Sequence, residues 1–317
     1  MAHSVLVTGG AGFIGSNLVR ALLARGDRVR VIDNFSTGHR ANLADVLAEI
    51  EIVEGDLRSF ERVHAATKGV EIVFHVGALP SVPRSVQDPL TSNAVNVDGT
   101  LNVLLAARDA DVRRVVFASS SSVYGNGPEL PRRESQPTAP ISPYAVSKLA
   151  AETYCTSFSR VYEGQLEAIS LRYFNVFGPR QDPASQYAAV VPRFISAVAQ
   201  GKPLMIYGDG TQSRDFTFVD NVVDANLLAA DTEGVSGAIV NIATGRQLSV
   251  NDLAETIGRI LDLPATTEYL PARPGDVRDS WADLSEAKRL LAYEPRIELE
   301  EGLRRTAEAL LRSAPAS

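Results

Sequence analysis

Ser4-Val5-Leu6-Val7-Thr8-Gly9-Gly10-Ala11-Gly12-Phe13-Ile14-Gly15 is the stretch on which the fold turns. Its apolar run to Thr8 predicts a buried strand, and the segment from Phe13 to about Arg25 predicts a helix. Glycines at 9, 12 and 15 suit the join: a tight turn, close approach of backbone to a pyrophosphate, and close packing of helix on strand. A second apolar strand, Arg28 to Ile32, ends in Asp33. A carboxylate there accepts from a ribose 2'-hydroxyl and repels a 2'-phosphate, so the pattern favours NAD over NADP. Asn34, Ser36, Thr37 and Gly38 then form a polar loop suited to the adenosine ribose.

Strand and helix continue to alternate. Glu51 to Glu54 precedes Gly55-Asp56-Leu57, and Glu71 to Val76 precedes Gly77-Ala78. Asp56 sits at a strand end, either near an adenine amino group or as a helix-capping aspartate. A helix is expected from about Asp88 to Ala107, with Asn96 inside it as a structural or catalytic amide. The strand Arg114 to Ala118 delivers Ser119-Ser120-Ser121-Ser122, a plain serine-rich turn or a row of hydroxyls at the ligand crevice. The pattern is that of an α/β fold, a Rossmann-type doubly wound parallel sheet.

Ser142-Pro143-Tyr144-Ala145-Val146-Ser147-Lys148 opens the next helix, with Ser142 as N-cap and Pro143 in the first position. Tyr144 and Lys148, four apart, share one face. To act as a base near neutrality, a phenol must fall by about 3 from its reference near 10, about 4 kcal/mol of differential stabilisation. The neighbouring ammonium is the expected cause. Nine tyrosines and four lysines make a chance match uncommon, with roughly 0.1 occurrences expected.

After the strand Leu166 to Tyr173 the alternation loosens. Residues 1–175 read as the NAD-binding domain, with a return strand and helix around 217–243, and residues 176–317 as mainly a smaller α/β substrate lobe. In that lobe Asp220 is expected to cap a helix to Ala230, Ser249 with Asp252 one to Leu261, and Asp283 with Glu286 one to Leu291. The net charge of −7 offers no footprint for nucleic acid. The single cysteine, Cys155, excludes an internal disulfide. The four histidines lack metal-ligand spacing, so no metal is expected. No secretory signal or apolar run of membrane-spanning length occurs, which makes a cytoplasmic enzyme without a membrane partner the expectation.

Together, Gly9/Gly12/Gly15, Asp33, the serine cluster and Tyr144/Lys148 resemble the extended short-chain dehydrogenase/reductase family, over essentially the whole chain. Within it the chain looks most like nucleotide-sugar 4-epimerases, especially those acting on UDP-N-acetylhexosamines. The resemblance implies a tightly held NAD, a UDP-sugar substrate, and a homodimer packed through the Asp88 and Ser142 helices, where Leu101, Leu104 and Leu105 serve either that face or the core. It implies Tyr144 as base, Lys148 on the nicotinamide ribose and Ser120 on the sugar's 4-oxygen. Phe13, Ile14, Leu57, Val76, Gly77, Ala78, Ser119 and Phe174 would complete the cofactor site. Ser81, Ser121, Ser122, Asn175, Val190, Tyr207, Gln212, Arg214, Arg273, Asp276 and Ser280 would face the UDP-sugar.

Departures from sibling patterns narrow the chemistry that the resemblance implies. The family's 4,6-dehydratases carry an Asp-Glu pair where Ser121 and Ser122 stand, and UDP-glucuronate decarboxylases carry a glutamate in place of Ser122. Glucuronate epimerases place an arginine near Asp182, whose charge here would repel a sugar carboxylate. Ser280 stands where a tyrosine restricts related pockets to glucose and galactose. Pro80 replaces a glycine usual in the N-acetylhexosamine enzymes. UDP-GlcNAc/UDP-GalNAc are therefore expected slightly ahead of UDP-Glc/UDP-Gal, with UDP-glucuronate third.

Overall fold

The computed structural model describes residues 2–127, 129–182, 189–272 and 277–313. Strands β1 (Ser4–Thr8), β2 (Arg28–Asp33), β3 (Ile50–Glu54), β4 (Ile72–His75), β5 (Arg114–Ser120) and β6 (Glu167–Tyr173) form one sheet with a further strand, Ile239–Ile242. Its order across the seven strands is β3-β2-β1-β4-β5-β6 and then Ile239–Ile242. Every pairing is parallel. The chain reverses direction of travel between β1 and β4, which opens a crevice at the strands' carboxyl ends.

β1 explains why the sheet is covered on both faces. Val5 and Val7 join one apolar layer and Leu6 the other, and all three are fully buried. Each such side chain contributes about 2 kcal/mol of burial.

The glycine loop follows from steric limits. Gly9 has φ 67°, and a Cβ there would lie 2.6 Å from Gly77 Cα. At Gly15 a Cβ would stand 2.2 Å from the Gly9 carbonyl oxygen. Only backbone could yield at that contact, so Gly15→Ala should cost about 3 kcal/mol through overpacking. Thermal unfolding with and without NAD is the check: a large loss of stability together with loss of NAD stabilisation is expected, and an unchanged transition refutes the packing argument.

The expected helix from Asp88 to Ala107 is present as a run of three pieces: Pro89–Asn93, a π-turn over Ala94–Asp98, and Gly99–Asp109. Asn96 resolves to a structural role. Its Oδ1 accepts from Leu79 N at 2.8 Å, and its Nδ2 donates to Leu79 O at 3.2 Å and to Ser147 Oγ at 3.0 Å. Leu104 is fully buried in the core, so it serves no outer face.

The helix Pro143–Val161 starts as expected, with Ser142 Oγ accepting from Ala145 N at 3.2 Å. Ser249 likewise caps Val250–Leu261, accepting from Asp252 N at 3.0 Å. Two capping expectations are corrected. Asp220 lies inside the first turn of Val219–Asp231, whose N-cap, Phe218, makes no side-chain cap. Leu284, not Asp283, is the N-cap of Ser285–Leu291, and Asp283 Oδ1 accepts from Ser285 N one residue early, at 2.8 Å.

Beyond β6 the strands are short. Ser213–Arg214 lies between Leu248–Ser249 and Asp279–Ser280, pairing antiparallel to the first and parallel to the second. Val176–Phe177 pairs with Thr217–Phe218, and Leu204–Tyr207 with Thr267–Leu270. Among the described residues no helix is long and apolar enough to cross a membrane.

Candidate active site

A cavity of about 760 Å³ occupies the crevice. Gly9, Gly12, Phe13, Ile14 and Gly15 line one end, with Asp33, Asn34, Ser36, Thr37 and Gly38 beside them. Gly12 is the N-cap of the Phe13–Arg25 helix and supplies no side-chain cap, so the first-turn amides of the helix face outward with the positive end of its dipole. A Cβ at Gly12 would meet only Gly9 O, at 3.2 Å. That uncapped helix end and the bare backbone before it fit a dinucleotide pyrophosphate.

Asp33 closes the ribose end. Its Oδ2 accepts from Ala11 N at 2.9 Å and its Oδ1 from Phe35 N at 2.8 Å, which holds the carboxylate at the loop with lone pairs to spare. Burial raises its pKa, and the two amides oppose that rise. Asp56, also on the wall, takes a bidentate bond from Arg58 at 2.9 and 2.8 Å and accepts from Asn34 Nδ2 at 2.8 Å. The arginine hydrogen bonds hold its carboxyl well below the usual range. Asp56 caps no helix, because Ser59 is the N-cap of Phe60–Thr67.

The serine cluster follows directly from β5. Ser120 Oγ accepts from Ser122 N at 3.2 Å and from Ser122 Oγ at 2.9 Å, and Ser121–Tyr124 makes a single 3₁₀ turn. Ser119, Ser120, Ser121 and Ser122 all line the cavity, as do Tyr144 and Lys148 from the Pro143–Val161 helix. Ser85 Oγ accepts from Tyr144 N at 3.0 Å and anchors the first turn of that helix. Lys148, 4% exposed, donates from Nζ to Ala118 O at 2.7 Å.

Here the electrostatics differ from the sequence expectation. Burial pushes the Tyr144 phenol up, and its hydrogen bond with Ser120 pulls it back. Burial also lowers Lys148 to about 8, against a smaller opposing effect of Cys155. The ammonium donates to the Ala118 carbonyl on the cavity wall, and the phenol is not lowered by it. A cation placed beside the phenol would favour the phenolate.

His75 lies beneath this end of the cavity. Its Nδ1 and Nε2 are 2.7 Å from Thr8 Oγ1 and 2.9 Å from Thr100 Oγ1, and Thr8 Oγ1 also accepts from Gly77 N at 3.1 Å. Burial, with Lys148 nearby, lowers the imidazole to about 3, so it is neutral. Its role is to brace Gly77 against β1. Nothing in the sequence spacing signalled it, since strand register alone sets the position.

Leu57, Val76, Gly77 and Ala78 also lie on the cavity wall, together with Ser81, Asn175, Arg214 and Ser280. Four expected positions do not. Phe174 is fully buried against Tyr124, with ring centroids 6.3 Å apart. Val190 opens the helix Val190–Ala199 and packs on the core. Gln212 Nε2 donates to Tyr207 O at 2.7 Å, which links these two to each other away from the wall. Arg273 and Asp276 lie outside the described residues. The sequence reading missed His39, Asn42, Arg84, Arg132 and Arg180, which share the wall.

Comparison with known proteins completes the assignment. The model of the NAD dependent epimerase/dehydratase family matches residues 5–243. The chain belongs to that family. A UDP-glucose 4-epimerase of Mycolicibacterium smegmatis is 41% identical over 312 residues, covering 96% of this chain and 97% of the relative. The structure of a UDP-N-acetylglucosamine 4-epimerase from Methanobrevibacter ruminantium, in complex with UDP-N-acetylmuramic acid, superposes with a TM-score of 0.93 at 41% identity, covering 99% of each chain. That of Thermus thermophilus UDP-glucose 4-epimerase in complex with NAD gives 0.89 at 37% identity, covering 98% of this chain and all of the other. This family member is accordingly an NAD-dependent enzyme, an isomerase by the class of its relatives, and the glycine loop, Asp33 and Lys148 are the groups that suit its cofactor.

Proposed function

We propose that the protein interconverts UDP-sugars epimeric at carbon 4, with UDP-GlcNAc/UDP-GalNAc slightly ahead of UDP-Glc/UDP-Gal and UDP-glucuronate third. The observation that carries the reading is the Tyr144–Ser120 pair facing the crevice, with Lys148 behind it and hydroxyls at 121 and 122 in place of carboxylates. Bound NAD supplies a reversible two-electron acceptor for the hydrogen on carbon 4. Tyr144, as phenolate, takes the proton of the 4-hydroxyl as carbon 4 is oxidised to a ketone, and Ser120 hydrogen-bonds the same oxygen. Tyr144 returns the proton once the ketone has presented its other face and been reduced. Without an acid and base at 121 and 122, elimination of water across carbons 5 and 6 has no proton carrier.

Arg214 suits the diphosphate by charge and bidentate geometry. Its Nη1 donates to Ser213 O and Arg278 O, both at 2.8 Å, which orients the guanidinium at the wall. Ser280 pairs in register with Arg214, so a small side chain lies next to the anion-binding group. On this reading, Ser280→Tyr should cut UDP-GlcNAc turnover at least about tenfold while sparing UDP-Glc, since added bulk discriminates by size. Equal loss on both sugars would remove Ser280 as the gatekeeper. The defining experiment supplies each of the three UDP-sugars without added NAD and resolves the 4-epimers by proton NMR. The rival is an NAD-dependent dehydrogenase of a related sugar, which accumulates NADH in step with product.

The same proposal includes a cytoplasmic homodimer. Val86 (63% exposed), Leu90 (82%) and Val146 (51%) crowd apolar surface onto the Val82–Gln87, Pro89–Asn93 and Pro143–Val161 helices. Sedimentation of the monomeric mass alone would remove that part.

A further inference from the structure

One carboxylate joins the three elements that deliver the reacting groups. Glu152 stands one helical turn beyond Lys148 and two beyond Tyr144 on Pro143–Val161. Its Oε2 accepts from Ser119 Oγ at 2.6 Å, and Ser119 immediately precedes Ser120 on β5. Arg172 on β6 donates from Nε to Oε2 at 2.9 Å and from Nη2 to Oε1 at 2.6 Å, three residues before Asn175. The two side chains are 2% and 3% exposed. The guanidinium also lies 4.6 Å from the centroid of Tyr124, which closes the serine turn, and the Tyr124 hydroxyl donates to Asn241 Oδ1 at 2.7 Å on the neighbouring strand.

A buried ion pair is a weak source of net stability, because desolvation offsets most of its Coulomb gain. What it supplies is register, since each partner has one low-energy placement. We propose that Glu152 is a positioning residue: through Ser119 and Arg172 it sets the reach of Tyr144 to Ser120 and to the 4-oxygen of the substrate. This rests on the epimerase reading, and it extends to Glu152 and Arg172, which are buried off the cavity wall. A displacement of about 1 Å between helix and strand is enough to cost roughly a hundredfold in rate.

The test separates position from stability. Glu152→Gln alone leaves a buried guanidinium without its counter-ion and is expected to lose both stability and turnover. Glu152→Leu with Arg172→Met removes both charges, a replacement that is often neutral for stability. The double variant is expected to recover the wild-type melting temperature and NAD content, while kcat stays about thirtyfold low at little-changed KM. In the NAD-loaded protein, the ultraviolet titration of Tyr144, taken as the difference from Tyr144→Phe, is expected to move to higher pH. Wild-type kcat and an unmoved titration in the double variant overturn the proposal. Should the double variant fail to fold, Ser119→Ala decides, as it removes one hydroxyl and leaves the ion pair. Its expected result is about fivefold lower kcat, in keeping with one lost hydrogen bond, together with a Tyr144 titration moved to higher pH, and wild-type kcat with an unmoved titration overturns the proposal. If the wild-type protein epimerises no UDP-sugar, the functional reading falls, and the Tyr144 titration still judges the clamp.

Discussion

Tyr144→Phe is expected to lower epimerisation at least about a thousandfold, the upper range for loss of a general base, while the fold and bound NAD persist. The ring remains to fill its place at the head of the Pro143–Val161 helix, and Ser85 still holds the backbone of residue 144. What disappears is the single oxygen that hydrogen-bonds Ser120 and that, on the proposed function, accepts the proton. Losing one neutral hydrogen bond costs about 1 kcal/mol of stability at most. The effect should therefore fall on kcat rather than on KM or melting temperature. Interconversion of 4-epimers by NMR, together with NAD released on denaturation, measures both halves. Turnover within tenfold of wild type, at full NAD content, would sink the assignment of Tyr144 as base.

The same phenol explains how far the sequence could be read. Ser142 and Pro143 specify a helix start by local chemistry, so the helix and the shared face of Tyr144 and Lys148 were legible. The glycine loop was legible for a similar reason, since the close contacts at Gly9 and Gly15 tolerate no side chain. The charge state was not. It depends on burial and on where Lys148 Nζ finds an acceptor, and the Ala118 carbonyl is contributed by a strand 30 residues earlier. The π-turn at Ala94–Asp98 was hidden because the Asn96 bonds to Leu79 and Ser147 are tertiary. The facing of Tyr207 and Gln212 came from the resemblance alone, since the strands around them span two to four residues, too short for periodicity to set one. The pairing of Glu152 with Arg172 gave no signal for the same reason as His75: it acquires its meaning from the packing of distant elements.

Lys148→Met is expected to stabilise the NAD-free protein at pH 7 and to cost at least about a hundredfold in turnover, the opposition typical of functional residues held in unfavourable surroundings. The stability argument follows from linkage. Burial lowers the lysine to about 8 from an ordinary value of 10.5. Between these two values the unfolded chain binds more protons than the folded one, so stability rises with pH across that window. Below about pH 8 the folded protein carries the full penalty of a buried ammonium, of order 3 kcal/mol. Methionine has a similar length and no charge, so the penalty disappears with little change in packing. The turnover argument runs the other way, because on the proposed function the Lys148 ammonium, at the cavity wall, holds the cofactor ribose. Thermal unfolding of NAD-free wild type and Lys148→Met from pH 6 to 10.5 should show a gap that is widest at low pH and closes toward pH 10.5. A gap that stays constant with pH would mean that Lys148 does not titrate within the fold, and a less stable variant at pH 7 would mean that its bond to Ala118 outweighs the cost of burying the charge.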